Sequence, residues 1–150
     1  MFRILTDVEV ALNELLVESQ KTVDHFRDAT QLINDRQMAL EFKRIADIRK
    51  IFISQIEAKI REFGDLPTMP DPDKEDGEIL LHHLGAAITE DYSNKILEQR
   101  MEADKNIKQL IQKLRDVDNE DSCSTLSTEF ATHVDNTLKK LSSLVTEVNN

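Results

Sequence analysis

The chain has 150 residues, of which 39% are apolar and 32% charged, with three glycines and three prolines. That length fits one domain with a real core, and that balance fits amphipathic helices. The formal net charge of −10 disfavours partners rich in phosphate, so neither duplex nucleic acid nor an anionic membrane is expected as a partner. No apolar run approaches the ~20 residues needed to span a bilayer, and Met1–Ala11 carries Asp7 and Glu9 where a signal peptide would be apolar. A cytoplasmic location is therefore expected. The lone cysteine, Cys123, excludes an internal disulfide and reads as an ordinary helix-start residue.

All the glycines and prolines fall between Gly64 and Gly85, so the rest of the chain has almost no breakers and is expected to be long helices. The first spans about 6–34. Thr6-Asp7-Val8-Glu9 has capping-box spacing, and Val8, Leu12, Leu15, Phe26, Ala29 and Ile33 recur at three- and four-residue steps. Asn34-Asp35 is a turn signal, with Asp35 placed to cap a second helix over about 35–63. Met38, Phe42, Ile45, Phe52, Ile56, Ile60 and Phe63 share one face of it, and Gly64 is its C-terminal cap.

Residues 65–77 read DLPTMPDPDKEDG and are expected to be an acidic, proline-rich crossover. A calcium loop through Asp71, Asp73 and Glu75 fails on spacing, because Gly77 sits one position late and no bidentate glutamate follows. A short helix over 78–90 carries Ile79, Leu80, Leu84 and Ile88, and Asp91–Asn94 reads as a break or kink. The third long helix spans about 94–117 and the fourth about 124–148, joined by a turn at Asn119–Ser122. At 1.5 Å per residue the four helices would each be about 36–43 Å long, which is the geometry of an antiparallel four-helix bundle.

The inward rows at mid-helix are unusually polar. Helix 1 points Ser19 and Thr22 inward, helix 2 Arg49, helix 3 Arg100, and helix 4 Thr137 with His133 on the flank. Asp104 lies one turn from Arg100 on the same side. Buried guanidinium groups need acceptors, so Arg49, Arg100, Asp104, Ser19 and Thr22 form either an ion-pair layer that fixes register or a pocket for a small anion. A di-iron or di-manganese centre needs Glu-x-x-His on two helices, and the chain contains no such motif. The nearest candidates, Glu18, Glu102, Glu129 and His133, have the wrong spacing or the wrong face, so no cofactor is expected. A further alternative is a histidine phosphotransfer module: Leu81-His82-His83-Leu84-Gly85 loosely matches its phosphohistidine segment, but without the lysine and one residue short.

The stretches LNELLVESQKTVDHFRDA, LEFKRIADIRKIFISQIEAKIREFG, LLHHLGAAI and ILEQRMEADKNIKQLI together resemble a bacterial ferritin-like family of four-helix-bundle proteins of unknown function, over about residues 10–145. The resemblance implies the ferritin-like fold with an extra short helix before helix 3, an association with stress responses, and a homodimer. It supplies no reaction. Val23 stands where such helices often carry a carboxylate, and Asp47 with Arg49 only approximates the acidic-Arg pair of the second helix. The expected role is thus a non-catalytic protein that acts by binding or oligomerisation. Metal-binding oxidase or storage activity is the alternative. Leu97 and Met101, with Ile51 and Ile53, are apolar residues off the main stripes, and they mark either an interface or packing under the crossover.

Overall fold

The computed structural model describes residues 5–68 and 90–149, with side chains in the second stretch described from Ser93 to Val145. The described residues form four α-helices: α1 (Asp7–Leu32), α2 (Arg36–Glu62), α3 (Glu90–Val117) and α4 (Ser124–Asn149). Local sequence chemistry accounts for most of their ends. Thr6 caps α1 reciprocally with Glu9: the Glu9 amide donates to Thr6 Oγ1 at 3.2 Å, and the Thr6 amide donates to Glu9 Oε1 at 3.5 Å. Asp35 caps α2 by accepting from the amides of Gln37 at 2.9 Å and Met38 at 3.1 Å. α2 closes with paired reverse bonds. The Asp65 amide donates to the Ile60 carbonyl and the Gly64 amide to the Arg61 carbonyl, which is a Schellman ending. It requires Gly64 at φ 87°, where a Cβ would clash.

The α3–α4 turn depends on Asp118. Its carboxylate accepts from the Ser122 amide at 3.1 Å, the Ser122 hydroxyl at 2.9 Å and the Cys123 amide at 2.8 Å. Those bonds satisfy donors just ahead of α4, and Asp121 turns the chain at φ 55°. α3 begins at Glu90 and runs through Asp91–Asn94 as continuous helix, so the chain does not break there. The short helix over 78–90 and most of the 65–77 crossover lie outside the described residues, except Glu90 itself and the stretch up to Thr68.

α1 packs on α2, α3 on α4, α1 on α3, and α2 more loosely on α4. The directions follow from cross-helix contacts. Glu14 meets Lys113, Arg49 reaches Thr22 and Asp104, and both Arg49 and Arg100 lie over Phe26. Rising numbers in α1 therefore meet falling numbers in α3. The Phe52–Phe130 stack together with the Arg49–His133 bond sets α2 against α4 in the same sense. Every adjacent pair is antiparallel, and the diagonal partners α2 and α3 run parallel. The last turn of α2 and the first turn of α3 thus lie at opposite ends of the bundle. Thr68 starts back along α1, donating from its hydroxyl to Asn13 Oδ1 at 2.9 Å.

The core is a seam of mostly a/d-type residues. Leu12, Leu15, Leu16, Phe26, Phe42, Ile45, Ile56, Ile60, Ile107, Leu114, Phe130 and Leu141 are all buried. In α3 Ile96 is buried beside a row of Leu97, Arg100, Asp104, Ile107, Ile111 and Leu114. Ala103 and Leu110 are only half-buried. The seam repeats every three and four residues from Leu97, and that register puts Asp104 at its centre.

Candidate functional site

One polar side chain from each helix meets at mid-height. Arg49 of α2 lies between Thr22 of α1, Asp104 of α3 and His133 of α4. Arg49 and Asp104 are both fully buried. Their pairing is a two-pronged fork: Nη1 donates to Asp104 Oδ1 and Nη2 to Oδ2, each at 2.7 Å. These are the short distances of charge-assisted bonds. Nη1 also donates to Thr22 Oγ1 at 3.0 Å, and Nε donates to His133 Nε2 at 3.2 Å. Four hydrogen bonds therefore take up most of the five N–H donors that a guanidinium has. Thr22 passes its own proton on, donating to the Ser19 carbonyl at 2.7 Å.

Aromatic rings wall the layer on two sides. The Arg49 guanidinium carbon lies 5.3 Å from the centroid of Phe26, with that of Arg100 at 6.0 Å from the same ring. On the α4 side His133 stacks on Phe52 at 5.2 Å, and Phe52 stacks on Phe130 at 5.0 Å with the rings 7° from parallel. His133 is partly exposed at the α2–α4 seam. Its Nε2 accepts a hydrogen bond from a cation, so the imidazole is neutral, with hydrogen on Nδ1. Burial, followed by the charges of Arg49 and Arg44, pushes its pKa down to about 3.

The remaining candidates are distributed as follows. Ser19, fully buried, lies one turn before Thr22, and its hydroxyl has no hydrogen-bond partner among the described residues. Arg100 is 5% exposed and shares the Phe26 ring. Asp104, expected beside Arg100, aims both oxygens at Arg49. Glu18 is on a flank and pairs with Lys21 at 3.2 Å. Glu102 and Glu129 face outward, Glu102 lying 3.9 Å from Lys105. His82 and His83 lie outside the described residues. Among the described residues no three of His, Cys, Asp and Glu converge as metal ligands would. Cys123 is buried, and that burial raises its thiol pKa, which suppresses the reactive thiolate. Leu97 and Ile53 belong to the core, Met101 packs against it, and only Ile51 of that set is exposed, at 58%.

These features define an all-α four-helix bundle centred on a buried, hydrogen-bonded ion pair. No helix among the described residues is long and apolar enough to cross a membrane. No family model matches the chain, and neither a curated protein nor a solved structure matches it.

Proposed function

We propose that the chain is a ferritin-like bundle protein without catalytic chemistry, working in the cytoplasm through self-association and protein binding, with its central layer serving as a register lock. The observation that carries this reading is the saturation of Arg49. Asp104, Thr22 and His133 take four of its donors, which leaves little for an incoming small anion. A buried ion pair adds little net stability over apolar packing, but it penalises every misregistered arrangement that separates its members. A role at the surface then falls to the outer face of α2. Leu40 and Ile51 are 57% and 58% exposed. Being eleven residues apart, they lie on almost the same side of the helix. An isologous α2–α2 contact would cover both and give a dimer.

Sedimentation velocity on the full chain across a wide concentration range tests this. A dimer that Leu40→Lys with Ile51→Lys dissociates is the expected result. A monomer at every concentration removes self-association from the proposal.

The second reading is a metal-binding oxidase or storage protein with a di-iron or di-manganese centre. It draws on the antiparallel neighbours, the parallel diagonal pair, and a polar layer to which all four helices contribute, the place where such bundles hold metals. The donors present do not fit a dinuclear site. Both oxygens of Asp104 face a guanidinium, His133 Nε2 faces the Arg49 Nε–H, and Glu102 and Glu129 point away. A cation brought to this layer would meet the positive charge of Arg49 at its centre.

A further inference from the structure

We propose that His133 is a proton-operated latch between α2 and α4: protonation at Nε2 expels the imidazole from Arg49 and Phe52 and opens that seam, leaving the α1–α2 and α3–α4 hairpins intact.

The argument begins with hydrogen-bond polarity. Arg49 Nε can only donate, and His133 Nε2 holds the hydrogen bond by accepting, at 3.2 Å. An added proton would sit on that same nitrogen. It would turn the bond into two N–H groups facing each other and place a second positive charge against the guanidinium. No rearrangement inside the layer rescues the contact, because the Arg49 fork is held to Asp104 at 2.7 Å on both prongs. The histidine is the member free to leave. It is partly exposed at the seam and sits on the flank of α4.

The surrounding charges favour its departure. From α2 it feels Arg49 and Arg44, both cationic. From α3 the facing charge is Asp104, whose oxygens bond the two Arg49 Nη atoms while His133 meets the Nε side. From α1 the layer presents the neutral Thr22 hydroxyl. On α4 itself Glu129 is exposed, and Asp135 is tied to Lys108 at 2.8 Å.

The seam is also where the bundle is easiest to part. α2 and α4 make the sparsest of the four interfaces, and much of what joins them at this height is the stack His133–Phe52–Phe130. When the imidazole leaves, Phe52 loses one of its two ring contacts and keeps Phe130. Phe52 is already half-buried and not fully enclosed.

The size of the effect follows from linkage. In the closed seam the imidazole is neutral. In the open seam it titrates near its ordinary value of ~6.5. Lowering the pH from 7.5 to 5 therefore raises the open population by roughly ten- to thirtyfold, the lower figure allowing for the partial exposure of the ring.

Amide hydrogen exchange on the full chain at pH 7.5 and pH 5, corrected for intrinsic rates, is the test. Protection around Phe130–Thr137 and Phe52 should fall by that factor in the native protein, with α1 and α3 little changed. In His133→Gln, whose side-chain oxygen still accepts from Arg49 but does not titrate, protection there should hold. Equal losses in both proteins, or a uniform loss over all four helices, would overturn the latch. If His133→Gln does not fold, imidazole carbon shifts of the native protein decide. A neutral closed form exchanging with a protonated form that grows below pH 6 supports the proposal. A free titration of His133 near 6.5 without loss of protection overturns it.

Discussion

Asp104→Ala is the sharpest perturbation of the central layer. It removes both acceptors of the Arg49 fork and leaves a guanidinium with no accessible surface and no counter-ion. Breaking a buried pair from one side costs about 3–5 kcal/mol, because the surviving charge stays desolvated. Thr22 and His133 still hold two of the donors, so the expected loss is at the low end, about 3 kcal/mol. With a urea m-value of about 1–3 kcal/mol/M for a protein of this size, the unfolding midpoint should fall by about 1 M or more with m unchanged. Arg49→Met combined with Asp104→Leu replaces both charges by apolar groups. It should recover most of the loss, leaving the double variant about 2 kcal/mol more stable than Asp104→Ala and far short of the sum of the two single changes. Urea unfolding followed by far-UV circular dichroism measures all of these variants. A cost below about 1 kcal/mol for Asp104→Ala, or strictly additive effects in the double variant, would refute the view that these charges act as one buried unit.

Three further outcomes follow from the same structure. Asp118→Ala strips three hydrogen bonds from the α3–α4 turn and should cost about 1–2 kcal/mol in urea unfolding; a loss within experimental error would contradict the turn geometry. Gly64→Ala forces a Cβ into φ 87° and should destabilise by about 1 kcal/mol, with exchange rising first in the last turn of α2. Stability should decline with acid through His133. Its folded pKa, about 3, lies below the unfolded value near 6.5, so the contribution is full above about pH 6.5 and is lost as the pH falls toward 3. At pH 5 the loss is about 1.4 kcal/mol after discounting for partial exposure, the same tenfold effect as on seam opening, and it should vanish in His133→Gln when thermal unfolding is compared.

The helices were legible because their signals are local. Thr6 with Glu9, Asp35 and Gly64 announce ends through spacing alone, and apolar residues at three- and four-residue steps give each buried stripe. That Arg49 and Arg100 lie inward could be read in the same way, since both stand on those stripes. Pairing was not legible, because it depends on the register between helices. Asp104 is nearest Arg100 along the chain, yet its carboxylate reaches across to Arg49, 55 residues away. The signal for this was present in the heptad Leu97, Arg100, Asp104, Ile107, Ile111 and Leu114, which makes Asp104 a seam residue. His133 stands on the flank of its stripe, but its role depends on what α2 brings to that flank, and no pattern within α4 states that. The break expected at Asp91–Asn94 rested on a cluster of turn-prone residues, and helical context outweighed their propensity in α3.

The account centres on a layer held by a guanidinium where bundles of this architecture hold metals. Anaerobic titration of the purified full chain with Fe(II), followed by calorimetry, tests that most directly. No stoichiometric binding is predicted, with the native protein and Arg49→Lys alike. Saturable uptake of about two equivalents per chain would contradict it, because two cations cannot share the layer with Arg49 in its present place.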